Sequence, residues 1–252
     1  MLITMTLQTE MNNLHGFGPI YVINLPRRTD RREHMERLFK HYDITNYTFI
    51  DAFDGKDDLT NYIDSKSSYS KSVRKEEIAT TMSHIKAIKH WLDSSDTEYA
   101  IFCEDDLSFD TVEHWGWTWQ DFLNAIDFEY SVIQLCVTQF IKFQPKLHKR
   151  ARNDFSAGIY MLNRHHATAI IERMMRKDKY FLDGKRQNSV ADHDVIFGHT
   201  NKAFSCSLFT YEIKMPSDLN PQGQALHKKC RQDAIEFWQK QKIKLSDFVK
   251  VS

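Results

Sequence analysis

Short apolar runs alternate with amphipathic stretches along most of the chain. The first run, residues 20–25, is almost continuously apolar, which is typical of a strand buried on both faces of a sheet. The stretch after it predicts a helix that is capped by Thr29 or Asp30 and whose apolar side includes Met35 and Phe39. The chain therefore opens with a strand and a helix of the kind that build layered sheets.

The same alternation continues to the end of the chain. Apolar residues at helical spacing predict a long helix over 76–92, and the polar segment 56–75 before it is expected to be a mobile loop. Further strands are expected at 47–50, 99–103, 131–137, 156–162 and 203–211, and further helices at 119–126, at 165–176 and from 224 onward. Strands that alternate with helices predict an α/β fold with a layered sheet.

We expect residues 1–252 to form one domain, because a chain of this length can bury a sizeable core. Residues 1–18 are interpreted as an N-terminal extension, and residues 224–252 as a basic C-terminal helix. That helix is expected either to pack against the domain with a solvated basic face or to touch an anionic membrane peripherally.

Composition narrows the classes of partner and the compartment. Lys and Arg number 34, as do Asp and Glu, so no global charge favours nucleic acid as a partner. The four cysteines lie far apart without a CxxC pair, which predicts buried, reduced side chains. No apolar run approaches the roughly 18 residues of a membrane span, and the first residues lack the features of a signal peptide. A soluble, cytoplasmic protein is therefore expected.

Three adjacent carboxylates end the apolar run in the stretch YAIFCEDDLSFD. They belong to Glu104, Asp105 and Asp106, and like charges packed at the end of a buried strand repel one another unless a cation neutralises them. A hard divalent ion, Mg²⁺ or Mn²⁺, takes oxygen ligands and is often shared with substrate phosphates. The alternation of a strand places Glu104 and Asp106 on the same side. A solvated acidic turn is the alternative interpretation.

Four stretches in order resemble glycosyltransferase family 25, which includes lipooligosaccharide and collagen-type galactosyltransferases. They are IYVINLPRRTDRREHMERL, FIDAFDG, EIATTMSHIKAIKHWL and YAIFCEDDLSF, and looser matches extend the resemblance over about residues 20–222. The resemblance implies a GT-A-like fold, which is a Rossmann-like nucleotide-sugar-binding sheet flanked by helices. It also implies a nucleotide-sugar donor and Mn²⁺, or Mg²⁺, as the cofactor. The chain departs from the family at 79–82, where the family usually has a run like Gly-Cys-Ala-Leu.

The resemblance also implies roles for particular residues. Asp106 is expected to be a direct metal ligand, with Glu104 and the late residue His227 completing the set. The donor-binding residues that the resemblance implies are Asn24, Leu25, Arg27, Arg31, Ala52, Asp54, Gly55, Ser83, His84, Glu104 and Asp105. Arg27 or Arg31 is expected to pair with a phosphate through its planar fork. For each of these groups a purely structural role is the alternative: a solvated helix start, a plain turn or a packed helix face.

A carboxylate base is expected late in the chain. Asp192 and Asp194 lie where the family has an acidic residue near the acceptor, and an inverting transferase needs a base to take the proton of the acceptor hydroxyl. We favour Asp194, and a helix cap is the alternative role for either residue. The tryptophans at 115, 117 and 119 are expected either to face a sugar ring or to pack in the core.

The sequence thus predicts a metal-dependent glycosyltransferase. By resemblance it moves a hexose, galactose or glucose, from a UDP-sugar to a hydroxyl of a glycan, glycolipid or glycoprotein acceptor, with inversion. Two alternatives stay open. One is a metal-dependent phosphohydrolase or nuclease that uses the same acidic residues, and the other is a non-catalytic relative that binds nucleotide sugars or carbohydrate.

Overall fold

The structure is a computed structural model that describes residues 12–69, 73–139, 143–182, 190–215 and 223–251, without the side chain of residue 194. In chain order the strands are β1 Ile20–Asn24, β2 Tyr47–Asp51, β3 Tyr99–Glu104, β4 Leu107–Ser108, β5 Val132–Gln134, β6 His148–Lys149, β7 Ile159–Asn163, β8 Met175–Arg176, β9 Lys179–Tyr180, β10 Ala203–Ser205 and β11 Thr210–Tyr211. The helices are α1 Thr29–His41, α2 Lys75–Ser94, α3 Trp119–Ala125, α4 Arg164–Met174, α5 Gln224–Lys240 and α6 Leu245–Phe248.

Seven strands form one mixed sheet in the order β2-β1-β3-β7-β5-β10-β6. Strand β1 runs parallel to β2 and β3, and β10 runs parallel to β5. Strand β7 lies between these two parallel groups and is antiparallel to both of its neighbours. Two short pairs, β4 with β11 and β8 with β9, stand outside the main sheet. The expected α/β class is confirmed as a mixed sheet flanked by helices, while the GT-A-like description stays a prediction.

The core lies on both faces of the sheet because successive strand residues point to opposite sides. On one face Ile101 and Cys103 of β3 belong to the same apolar cluster as Met35 and Phe39 of α1. On the other face Phe102 packs in a cluster with the buried side of α2. Fully burying one such large apolar side chain stabilises the fold by about 1.5–3 kcal/mol. Packing on both faces therefore fixes β3 in its position between β1 and β7.

Several expectations from the pattern are corrected at the ends of elements. Helix α1 begins at Thr29, so Thr29 and Asp30 lie inside its first turn and Arg28 holds the cap position without a side-chain cap hydrogen bond. The strand expected at 156–162 begins at Ile159, because Ser156 has a φ of +100° and cannot extend it. The strand expected at 203–211 is two strands in different sheets.

Three further expectations concern side chains. The tryptophans at 115, 117 and 119 are buried in the apolar core, which supports the packing role rather than the sugar-stacking one. All four cysteines are free and buried, as predicted. Within the described part of the chain, none of the helices is long and apolar enough to cross a membrane.

The polar segment 56–75 is tied to the neighbouring hairpin where it is described. It contains a 3-10 turn at Thr60–Tyr62, and its Asp64 and Ser68 amides donate to the carbonyls of Tyr180 and Leu182 at 2.8 and 2.9 Å. The expected mobility of this segment stays a prediction.

Candidate functional site

The carboxyl ends of three neighbouring strands meet at one edge of the sheet. Because β1, β2 and β3 are parallel, Asn24, Asp51 and Glu104 all end their strands on the same edge. Ligands of open α/β sheets bind outside the carboxyl ends of strands. We call the group Glu104, Asp105 and Asp106 the acidic strand end.

Asp105 is held by two side chains from the first strand and helix. Asn24 Nδ2 donates to Asp105 Oδ2 at 2.7 Å, and Arg31 Nη1 donates to Asp105 Oδ1 at 2.7 Å. All three side chains are buried. Burial raises the pKa of Asp105, although the Arg31 charge opposes this. The Arg31 guanidinium therefore supplies positive charge directly at the acidic strand end.

Asp106 is less well satisfied than Asp105. Its Oδ2 lies 3.2 Å from Arg31 Nη1, but its Oδ1 is buried without a hydrogen-bond partner among the described residues. Burial, with a smaller contribution from the Glu104 and Asp105 charges, raises the pKa of Asp106 to about 8 against the pull of Arg31. Arg31 therefore does not fully offset the burial of Asp106, and a further cation beside its unpartnered oxygen would favour the ionised form.

Glu104 points toward a different set of partners. Its Oε1 lies 3.6 Å from Nε2 of the fully buried His84, and its Oε2 accepts from the Tyr211 hydroxyl at 3.3 Å. Burial raises the pKa of Glu104, but the contact with His84, together with the Arg31 charge, outweighs this and leaves it below the usual value. The expected alternation is corrected: β3 ends at Glu104, and Asp106 shares Arg31 with Asp105 instead.

The loop after β2 packs beside the acidic strand end. Arg27 Nε donates to Asp54 Oδ2 at 2.5 Å, and this hydrogen bond is the main reason that the pKa of Asp54 is lowered. The Ala52 amide donates to the Asn24 carbonyl at 2.9 Å, so the first two loops are joined. A Cβ on Gly55 would lie 2.7 Å from Cα of Glu76 in α2, so only glycine allows this approach.

Ser83 and His84 have structural tasks in this geometry. The Ser83 hydroxyl accepts from the Phe53 amide at 2.8 Å and donates to the Ala79 carbonyl at 2.7 Å. His84 Nδ1 lies 3.0 Å from the Tyr160 hydroxyl. Both side chains are fully buried. Ser83 therefore supports the loop after β2, and His84 packs beside Glu104. Leu25 contributes its carbonyl to the turn before α1.

The late residues reach the same edge of the sheet. Asp192 lies in a π-helical turn, Ala191–Val195, and its Oδ2 accepts from the Ser156 amide at 3.2 Å. The Asp192 carbonyl also accepts from Arg150 Nη2 at 2.7 Å. The side chain of Asp194 lies outside the described residues. The candidate base that can be placed is thus Asp192.

His227 of α5 approaches the acidic strand end through Tyr211. The two rings stack in parallel with centroids 4.3 Å apart and planes 8° apart. Burial lowers the pKa of His227, and the Glu104 charge opposes this in part. The ring is therefore biased toward its neutral form, which is the form that binds metal ions.

Sequence reasoning missed several members of this edge. Tyr211, Ser156, Tyr160 and Arg150 looked like ordinary strand or connector residues, and nothing in the pattern marks them. The sequence also does not predict the pairing of Arg31 with Asp105 and Asp106, because it only indicates that Arg27 or Arg31 pairs with a phosphate. In the part of the chain that the structure describes, no group of three or more His, Cys, Asp or Glu side chains is arranged so that it could hold a metal ion.

Comparison with known proteins identifies the class. The model of glycosyltransferase family 25 (LPS biosynthesis protein) matches residues 17–183, which is more than half of the chain. The chain therefore belongs to glycosyltransferase family 25, and the resemblance drawn from its motifs is confirmed. It is also similar to "Putative glycosyltransferase R655" of Acanthamoeba polyphaga mimivirus, with 40% identity over 96 residues. That alignment covers 36% of this chain and 29% of the relative, so the chain matches less than a third of the viral protein.

Proposed function

We propose that the chain is a metal-dependent glycosyltransferase that moves a hexose, galactose or glucose, from a UDP-sugar to a hydroxyl of a glycan, glycolipid or glycoprotein. Membership of family 25 supports glycosyl transfer. The observation that carries the site is the Asp106 carboxylate, which is buried beside Arg31 with one oxygen that lacks a hydrogen-bond partner among the described residues. A diphosphate brought here needs a cation between itself and these residues.

One carboxylate oxygen at this edge is available to a divalent ion, although the described residues contain no preformed group of three or more ligands for one. Asp106 Oδ1 is a buried carboxylate oxygen without a partner among the described residues, and a hard cation prefers such an oxygen. We assign Asp106 and Glu104 as ligands from the acidic strand end and His227 as the late ligand. When bound, Mn²⁺ or Mg²⁺ supplies positive charge that offsets the charge developing on the departing diphosphate.

The neighbouring loops are proposed to hold the donor. Asn24 and Arg31 fix Asp105, which keeps the rim of the site rigid for a ribose contact by Asp105 or Glu104. Arg27 and Asp54 lie on the open side, and Arg27 is 40% exposed, so its guanidinium is accessible to a phosphate. Ala52 and Gly55 shape the turn on the uridine side.

Proton removal from the acceptor is assigned to the late carboxylates. Asp192 is placed at the same edge by Ser156 and Arg150, and Asp194 follows it in the same π-helical turn. An aspartate in this position takes the proton of the acceptor hydroxyl as that oxygen attacks the anomeric carbon from the face opposite the diphosphate. The product then has the inverted configuration.

The test is donor binding with and without metal. UDP-glucose, UDP-galactose and a GDP-sugar are titrated calorimetrically in the presence of Mn²⁺ or of EDTA, against the wild-type chain and Asp106→Asn. We expect UDP-sugar binding that depends on Mn²⁺ and weakens at least tenfold in Asp106→Asn, since one good charge-assisted contact is worth about a factor of ten or more.

Asp110→Asn is the matched control, because it makes the same substitution four residues away in a carboxylate that pairs with Arg231 and is 43% exposed. It should bind donor as the wild type does. Unchanged binding in Asp106→Asn would remove the metal site. Phosphate release without any acceptor would instead favour a phosphohydrolase, and tight donor binding without turnover would favour a non-catalytic relative.

A further inference from the structure

The Tyr211 hydroxyl lies in the middle of a hydrogen-bonded chain that reaches Glu104. The Gly158 amide donates to Ser156 Oγ at 2.9 Å, Ser156 Oγ lies 2.7 Å from the Tyr211 hydroxyl, and that hydroxyl donates to Glu104 Oε2 at 3.3 Å. Glu104 accepts only, so the direction of every donor in the chain is fixed. Such aligned hydrogen bonds polarise and strengthen one another.

The surrounding backbone is shaped around this hydroxyl. A Cβ on Gly158 would overlap the Tyr211 hydroxyl group, so glycine is required there. Ser156 has a φ of +100°, a conformation that non-glycine residues rarely adopt and that costs free energy. The Tyr211 ring is buried and stacks on His227, while its strand pairs with β4. Strain and close packing at one point indicate that the position of this hydroxyl is tightly specified.

Ser156 also connects this chain to the second carboxylate of the edge. Its hydroxyl leads through Tyr211 to Glu104, and its amide donates to Asp192 Oδ2 at 3.2 Å. Ser156 thus contacts both Tyr211, which leads to Glu104, and the candidate base Asp192.

We propose that Tyr211 is a positioning residue that, with Ser156, fixes the Glu104 carboxylate relative to Asp192. The inference rests on the proposed function, because it assigns Glu104 to the donor and Asp192 to the acceptor. Tyr211 donates a hydrogen bond to one oxygen of Glu104, whereas His84 Nε2 lies 3.6 Å from the other, beyond hydrogen-bond distance, so loss of Tyr211 leaves the carboxylate free to turn. Productive alignment of the two substrates is then lost more than donor affinity.

Tyr211→Phe tests the proposal because it removes the hydroxyl and keeps the ring against His227. Tyr42→Phe is the matched control: its hydroxyl donates to the Phe109 carbonyl, also at 3.3 Å, at the end of α1 away from the acidic strand end. We expect kcat for transfer to fall about tenfold in Tyr211→Phe, with donor affinity changed less than threefold and with the unfolding midpoint equal to that of Tyr42→Phe. Equal activity in the two variants would overturn the proposal.

Ser156→Ala completes a double-mutant cycle. If Ser156 acts through Tyr211, the double variant should lose no more activity than the worse single variant, whereas independent effects would multiply. A multiplied loss would contradict the chain of contacts.

Amide hydrogen exchange tests the same hydrogen-bond network without requiring a measurement of activity. In Tyr211→Phe the Ser156 hydroxyl loses the Tyr211 oxygen as its acceptor and is less firmly held, so the amides of Ser156 and Gly158 should exchange severalfold faster than in Tyr42→Phe. Unchanged exchange overturns the proposal whatever the activity is. A wild-type chain that binds no UDP-sugar overturns the proposed function instead, and the exchange result then stands by itself.

Discussion

Two buried carboxylate groups in this molecule are built in opposite ways. Asp154 is fully buried and fully satisfied: its Oδ1 accepts from Gln139 Nε2 at 2.5 Å, and its Oδ2 accepts from the Ala151 amide at 2.7 Å and lies 3.2 Å from His148 Nε2. Burial raises the pKa of Asp154, but these hydrogen bonds outweigh it and leave the value below normal. Asp106 is also buried, but it keeps one oxygen without a described partner and has a raised pKa.

The difference separates structural carboxylates from those that await a ligand. A buried carboxylate whose oxygens are all bonded by the protein contributes to folding and needs no substrate or ion to be satisfied. A buried charge with an empty acceptor costs stability, and such a cost is common where a site is prepared for a ligand. Asp106 is of the second kind, with Arg31 reducing that cost.

Removal of Arg31 is the largest expected perturbation. Arg31→Ala leaves Asp105 and Asp106 buried without their counter-charge, which should lower the free energy of unfolding by about 3–5 kcal/mol. Urea denaturation at pH 7 measures it. Arg32→Ala is the control, because Arg32 pairs with Glu36 on the exposed side of α1 and little change is expected there. Similar losses in both variants would mean that Arg31 does not balance the acidic strand end.

Truncation of the satisfied carboxylate should have a smaller effect. Asp154→Ala leaves the donors of Gln139, His148 and Ala151 without an acceptor, so the free energy of unfolding should fall by about 2–3 kcal/mol. Asp154→Asn keeps one acceptor oxygen and should lose less. The same urea denaturation measures both, and an Asp154→Ala variant as stable as the wild type would refute the contrast.

The smallest effect is a difference in pH dependence. The folded pKa of Asp106 is raised from 3.8 to about 8, so its contribution to stability is present below pH 3.8 and is lost as the pH rises toward 8. The folded pKa of Asp154 is lowered, so its contribution is present above pH 3.8 and is lost as the pH falls through the folded value.

Asp106→Asn should therefore gain stability relative to the wild type as the pH rises from 5 to 8, while Asp154→Asn should become relatively less destabilised at acid pH. Urea denaturation across this range measures both trends. Parallel pH profiles for the two variants would show that the carboxylates do not differ in the way described.

The sequence predicts the parts of this site that depend on local pattern. The runs that become β1 and β3 are apolar enough to mark buried strands, and their polar ends, Asn24 and Glu104, follow from where the runs stop. Contacts between distant residues do not follow in this way. Tyr211 lies 107 residues from Glu104, and no periodicity links them.

The arginines at the start of α1 illustrate the limit. Arg27, Arg28, Arg31 and Arg32 are chemically alike, and only the start of the helix at Thr29 decides which of them turns toward β3. Arg28 and Arg32 pair with Asp30 and Glu36 on the helix surface, whereas Arg31 is buried. A shift of the helix start by one residue would present another side chain to the acidic strand end, because each residue turns by about 100° around the helix.

The unit that folds is larger than the unit that the family match covers. The match ends at residue 183, yet β10 adds to the sheet beside β5, and β11 covers β4 and brings Tyr211 to Glu104. A fragment that ends at residue 183 would leave one edge of β5 without its β10 partner and Glu104 Oε2 without the hydrogen bond from Tyr211. Chimeras between relatives should therefore keep residues up to at least 211 from the same parent as the acidic strand end.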